Sequence, residues 1–303
     1  MSNIIDCLVV GGGPAGLTAA LYLARFHLSV TVVDAGHSRA LQIACTHNHA
    51  GFPAGISGEE LLVRMRSHAL KFGTRIIDGR VQEVRPRTGG FVVRGHDFSI
   101  DARSVLIATG VTNRRPAMDD TLHSKALALG CLRYCPVCDG YEVTGQDVAV
   151  IGDAVGAAKE CEFLRSYTHQ VTFILAGREG LAESSALHLK KIGVRLIGGP
   201  AEQFQLDGKR LSLSTAAGRI SFDAIYPALG SIIHSDLATA LGADVTEEGC
   251  VKVDMHQRTS IRGVYAAGDV VIGLDQISHA MGEAGLAATA IRNDLDSSYP
   301  RFR

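Results

Sequence analysis

The 303-residue chain balances 30 Lys and Arg against 31 Asp and Glu, and 46% of its residues are hydrophobic. A net charge of −1 offers no global attraction for nucleic acid or an anionic membrane, and no apolar run approaches the ~18 residues that cross a bilayer. The length suits two domains, each with its own core, and seven scattered cysteines, an odd number, argue against a secreted disulfide framework. The chain enters an apolar strand almost at once, without a leader pattern, so the expected location is the cytoplasm.

Residues 4–10 form a continuous apolar run, followed by Gly11-Gly12-Gly13-Pro14-Ala15-Gly16, an apolar helix over 15–26, and a strand from Val30 that ends in Asp34. This is a strand–turn–helix–strand opening with G-x-G-x-x-G at Gly11, Gly13 and Gly16, and an acid 18 residues later. Gly11 makes the tight turn, Gly13 lets backbone N–H groups reach a pyrophosphate, and Gly16 lets helix and strand close up. The helix N-terminus favours phosphate, and Asp34 can accept from ribose hydroxyls, so the unit reads as dinucleotide-binding.

Residues 79–84 and 91–94 read as short strands of a β-insertion, and 98–110 as a strand delivering Ala108-Thr109-Gly110. After Arg114-Arg115-Pro116, a crossing between domains, the stretch 117–144 is loop and helix carrying Cys135-Pro136-Val137-Cys138-Asp139. A C-x-x-C in a loop is a zinc half-site, a redox disulfide or chance. Beside a dinucleotide fingerprint, the redox disulfide is favoured. Cys7 and Cys161 read as small core residues.

Strand 146–152, helix 154–166 and strand 170–175 repeat the opening unit, short strands follow over 194–229, and Val264–Asp269 brings Gly268 and Asp269 to a strand end. A helix over 276–293 starts at Gln276 and Ile277, and the chain closes on a polar and aromatic tail, 296–303.

Taken together, GGGPAG at 11–16, Asn48 with Gly51-Phe52-Pro53, ATG at 108–110, CPVCDG at 135–140 and AAGDV at 266–270 resemble the low-molecular-weight thioredoxin reductase family over nearly the whole chain. The resemblance implies an α/β fold of two Rossmann-like (three-layer ββα) domains. A discontinuous FAD domain would span 1–115 and 242–303, and a disulfide-bearing domain 116–241. It implies that Gly11, Gly13, Pro14, Ala15, Gly16 and Asp34 hold the FAD diphosphate and ribose. Asn48, Val81, Ala108, Thr109, Gly110, Gly268, Asp269, Gln276 and Ile277 would lie along the cofactor. It further implies that Cys138 faces the flavin, Cys135 attacks the disulfide of thioredoxin, Asp139 shuttles protons, and the protein is a homodimer.

One stretch departs from the family. Members that use NADPH carry a second fingerprint, but this chain has Gly152-Asp153-Ala154-Val155-Gly156-Ala157 there. A methyl at Ala154 would occupy the pyrophosphate's approach, and Asp153 would repel a phosphate. Leu175-Ala176-Gly177, followed by Arg178 alone, replaces the basic run for the 2′-phosphate. Each lost charge-assisted hydrogen bond costs ~1.5–3 kcal/mol. The expected relatives are therefore the ferredoxin-dependent flavin thioredoxin reductases, docking ferredoxin on basic runs at Arg64–Arg66, Arg114-Arg115 or Lys190-Lys191. Alternatives are a dithiol oxidase using oxygen, though such enzymes carry His after the second cysteine, and a divergent NADPH enzyme. A flavin that receives no nicotinamide leaves a ring face bare, for which Tyr299, then Phe302, is the expected cover.

Overall fold

A computed structural model describes residues 4–152, 154–176 and 181–296. The chain divides into two compact units: residues 1–41, 57–112 and 233–303 form unit 1, and residues 42–56 and 113–232 form unit 2. These boundaries differ from the expected ones in three places, residues 113–115 among them, which lie in unit 2. The segment 42–56 joins the second unit, where Asn113 donates to Gln42, and 233–241 joins the first.

The chain opens in unit 1 with β1 (Ile5–Val10), α1 (Pro14–Arg25) and β2 (Val30–Asp34), as the periodicity predicts. Pro14 sits in the first turn of α1, where its missing N–H costs nothing, and the helix ends just before His27, which has φ 63°. Next comes α2 (Gly58–Lys71), a helix the sequence reading omits although Ser57 announces it by accepting from the Glu60 N–H. β3 (Arg75–Asp78), β4 (Val81–Arg87), β5 (Gly90–Gly95) and β6 (Ser99–Ile107) follow. The short strand β7 (Val111–Asn113) leads into unit 2.

Unit 2 contains α3 (Asp120–Ala128), the single turn α4 (Pro136–Asp139), β8 (Asp147–Gly152), α5 (Ala154–Leu164), β9 (Gln170–Leu175), α6 (Glu183–Lys191), β10 (Arg195–Ile197), β11 (Glu202–Asp207), β12 (Arg210–Thr215), β13 (Gly218–Phe222) and β14 (Ala224–Ala228). After β15 (Ser231–Ile233), the chain completes unit 1 with α7 (Asp236–Ala240), β16 (Val264–Ala266) and α8 (Ile277–Asp296).

In unit 1, β3-β2-β1-β6 run parallel in that order and β16 adds in parallel to β6, while β5 and β4 extend β6 as an antiparallel meander. Cys7, Val9, Val30 and Val32 point to the face covered by α1 and α8; Leu8, Val10 and Val33 point to the other. Small residues let the two helices close on the sheet: Ala19 and Ala20 of α1 pack with Ala284, Ala287 and Ala288 of α8. Unit 2 repeats the plan with a parallel sheet β10-β9-β8-β14 and an antiparallel sheet β11-β12-β13. Its fully buried chains include Phe173, Phe222 and Tyr226.

Candidate functional site

Three strand ends of unit 1 converge. β1 ends at the Gly11–Gly16 turn, β6 at Ala108–Gly110, and β16 just before Gly268 and Asp269. Ala108 N–H donates to the Val10 carbonyl, and Ala267 N–H to that of Ile107. Gly11 has φ +108°, and a Cβ there would lie 2.3 Å from the Ala108 carbonyl oxygen; one at Gly16 would lie 1.9 Å from that of Gly11. Neither collision involves a flexible side chain, so both positions demand glycine. Gly268, at φ +81°, brings its turn so close to α1 that a Cβ would meet Ala15 at 2.9 Å.

Asp34, at the tip of β2, accepts through Oδ1 from the N–H groups of Gly12 (3.2 Å) and Gly36 (3.1 Å). It lines a cavity of about 250 Å³ with Ser38, Leu41, Leu62, Val63 and Arg66. A carboxylate for ribose hydroxyls, apolar walls for an adenine ring and a glycine turn that any side chain would fill suit the adenosine diphosphate half of FAD. Arg39 Nη1 bridges Asp269 (2.9 Å) and Asp275 (2.8 Å). Burial and the nearby Asp269 push the Asp275 carboxyl above its usual range, and Arg39 opposes them. Glu283 Oε2 accepts from the Gly268 N–H at 2.7 Å and fixes the turn that presents Asp269. Gln276 precedes Ile277 and accepts from the Ala280 N–H in the opening turn of α8. Thr109 Oγ1 donates to the His234 carbonyl at 2.6 Å. Val81 starts β4 with its side chain in the core. Asn48 belongs to unit 2, apart from the other expected cofactor residues, because its loop packs there: Asn48 Nδ2 donates to the Val137 carbonyl at 3.5 Å.

In unit 2, Cys135 and Cys138 are joined as a disulfide across α4, with Cα atoms 5.2 Å apart. The Cys138 N–H donates to Cys135 Sγ at 3.1 Å. Asp139 is held from both sides: Arg133 Nη1 donates to Oδ2 at 2.9 Å and the Tyr226 hydroxyl to Oδ1 at 3.0 Å. Burial raises the Asp139 carboxyl above its usual range, while the Arg133 charge pulls it back. Burial, then Asp139, raises the Tyr226 phenol strongly, so it stays a donor. Gly140 is also constrained, since a Cβ would lie 2.6 Å from the Pro136 carbonyl oxygen.

Arg39, Glu283, Arg133 and Tyr226 escape the sequence reading. The first three follow no motif, and Tyr226 lies 87 residues beyond Asp139, so only the fold joins them. Burial pushes the Cys7 and Cys161 thiols up to about 12, consistent with inert core cysteines. Three of the four arginines expected in docking runs face acids: Arg64 meets Glu60, Arg66 meets Asp78 and lines the cavity, and Arg115 meets Asp120. Asp153, Gly177, Arg178, Tyr299 and Phe302 lie outside the described residues, as does the side chain of Ala154. Among the described residues, no helix is long and apolar enough to cross a membrane.

Comparison with known proteins matches residues 5–284 to the pyridine nucleotide-disulphide oxidoreductase family. The chain is 31% identical to a thioredoxin reductase of Listeria innocua over 301 residues, covering 94% of this chain and 92% of the other. The thioredoxin reductase structure from Streptococcus pyogenes superimposes with a TM-score of 0.88 at 28% identity, over 98% of this chain and all of the other. The structure of HlmI does so with a TM-score of 0.89 at 27% identity, over 98% and 95%. The fold, the glycine cradle and the paired cysteines agree with these likenesses, and the chain belongs to the low-molecular-weight thioredoxin reductase family of FAD-dependent pyridine nucleotide-disulphide oxidoreductases.

Proposed function

We propose that the protein is a flavin-dependent disulfide reductase that reduces thioredoxin and draws electrons from a ferredoxin-type iron–sulfur protein rather than from NADPH or NADH. The carrying observation is the Cys135–Cys138 disulfide with Asp139 clamped beside it by Arg133 and Tyr226, in a chain whose first unit keeps a complete FAD cradle. Unit 1 is the FAD domain: Gly11–Gly16 and Asp34 hold the diphosphate and ribose, and Asp269, positioned by Arg39, serves the ribityl side. Unit 2 is the disulfide domain. FAD, when bound, supplies the two-electron store.

In the reduced protein, Cys135 is the attacking sulfur, because the Cys138 N–H donated to it favours its thiolate. Its attack on the thioredoxin disulfide releases one thioredoxin thiol and leaves a mixed disulfide. Cys138 then displaces thioredoxin and restores the Cys135–Cys138 bond. Asp139, drawn toward neutrality by burial, holds the proton that the leaving sulfur needs.

The altered second fingerprint supports a donor other than a pyridine nucleotide: Ala154 replaces a glycine, and β9 ends in Leu175, followed by Ala176, without the basic run of the NADPH users. Lys190-Lys191, exposed at the end of α6, is the docking run this reading favours, since Arg64, Arg66 and Arg115 already face acids. The protein acts as a cytoplasmic homodimer in this reading, by likeness to its family. The test is anaerobic: reduced ferredoxin, the protein and oxidised thioredoxin are mixed and new thioredoxin thiols counted. Turnover that weakens with salt, and vanishes in Cys135→Ser and Cys138→Ser, is expected. Turnover with NADPH and none with ferredoxin would overturn the donor assignment.

A further inference from the structure

A third sulfur lies in the loop that packs on α4. Cys45 is a free, exposed thiol. Its Sγ lies 3.7 Å from His47 Nε2. The other nitrogen of the ring, Nδ1, lies 3.0 Å from Glu142 Oε1. A carboxylate at Nδ1 requires the proton there, which leaves the Nε2 lone pair facing the sulfur. Glu142 Oε2 is buried and has no hydrogen-bond partner among the described residues, so His47 is the partner that the structure gives this carboxylate.

The backbone holds the arrangement. Thr46 and Ile56 exchange both backbone hydrogen bonds, closing the loop as a hairpin. Gly55 faces the pair at φ +75°, and a Cβ there would come within 2.5 Å of Cys45 Sγ and 2.8 Å of the His47 ring. The hairpin is tied to the redox turn through Asn48 and the Val137 carbonyl, and Glu142 follows Cys138 by only four residues. Nucleophile, base and orienting acid thus stand in line, the geometry of an activated thiol. Reduction of thioredoxin as set out above uses none of the three.

We propose that Cys45 is a second reactive thiol, a site where low-molecular-weight disulfides are exchanged onto the protein with His47 as base. The Cys45 proton passes to His47 Nε2, and the sulfur attacks one sulfur of the small disulfide. A Cys45–S bond forms as the small molecule's S–S bond breaks, and the departing thiolate takes the proton back from His47. No electrons are gained or lost overall, and a free thiol reverses the exchange. A mixed disulfide here would load a bulky group on the loop that touches Val137.

The full-length FAD-loaded protein, with Cys135 and Cys138 in the disulfide, is incubated with glutathione disulfide across pH 6–9. Modification of each cysteine is followed by peptide mass spectrometry. At pH 7 the parent's Cys45 should react about tenfold faster than Cys45 in His47→Gln, the gap closing as rising pH ionises the thiol without a base. Glu142→Gln should slow Cys45 in the same direction, and it carries the comparison if His47→Gln loosens the loop. Cys45→Ser should keep its FAD and its thioredoxin reduction while losing the modification. Equal rates in parent and both variants, or an unmodified Cys45 where free cysteine reacts, would overturn the proposal.

Discussion

The two strand–glycine turn–helix units, β1-α1-β2 and β8-α5-β9, share a plan and differ at the strand ends. In the first, Gly11 takes a left-handed conformation and β2 ends in Asp34, which accepts from the N–H groups of Gly12 and Gly36. In the second, Gly152 lies outside the left-handed region and β9 ends in Leu175, followed by Ala176, where the first unit has Asp34. Gly152 is kept for a different reason: a Cβ there would meet the Ala228 carbonyl oxygen of the neighbouring strand at 2.5 Å, a demand of the sheet rather than of a ligand. Packing preserves the architecture of both units, whereas nucleotide binding rests on a few residues at the C-terminal edge, and those can change without cost to the core.

The largest contrast comes from a glycine-to-alanine change near the start of each unit's helix, at Gly16 in α1 and at Gly156 in α5, beside the position Ala157 that answers to Gly16. Gly16→Ala drives a methyl into the Gly11 carbonyl, so the purified protein should be colourless or fail to fold. Gly156→Ala adds a methyl where nothing lies within 4 Å, near the start of α5. It should stay yellow and gain ~0.5–1 kcal/mol of helix stability. Equal loss of FAD in both would erase the distinction between the units; absorbance spectra and thermal melts decide.

A smaller effect sharpens the role that unit 2 retains. Asp139→Asn should lower thioredoxin turnover by ~10²-fold with the flavin content unchanged. Arg133→Leu removes the charge that opposes burial at Asp139, so that carboxyl rises further. The alkaline limb of the rate profile, where Asp139 loses the proton it supplies, should then move to higher pH; a profile that does not move, measured beside the parent, would assign Arg133 to structure alone.

The smallest effect concerns Glu160 on α5, whose carboxyl burial pushes up to about 7. A raised folded-state value means stability intact below the unfolded carboxylate range and lost as pH climbs through about 7. Glu160→Gln removes that loss, so its Tm advantage over the parent should widen between pH 6 and 8, by ~2–4 °C. A constant difference would place the carboxyl in water.

Much of this was legible in the sequence because it is local. Gly11–Gly16, Asp34 and the C-x-x-C pair lie in short motifs whose spacing carries the chemistry, and alternation of apolar runs gave β1, α1, β2, β8 and β9 within a residue or two. The α5 helix stops at Leu164 rather than 166, and α8 runs on to Asp296. The amphipathic α2 lies outside the sequence-based reading although its cap, Ser57 with Glu60, stands in the sequence. The Arg39–Asp269 and Tyr226–Asp139 contacts span 230 and 87 residues, and no local pattern encodes them. The ion pairs of Arg66 with Asp78 and of Arg115 with Asp120 likewise form only through folding or a turn.

On the proposed reading, unit 1 holds FAD while unit 2 takes no pyridine nucleotide. Anaerobic stopped-flow spectroscopy of the yellow protein with NADPH, and separately with NADH, tests it most directly. At sub-millimolar nucleotide the flavin band should persist, while dithionite and reduced ferredoxin bleach it. Rapid bleaching by NADPH would contradict the account.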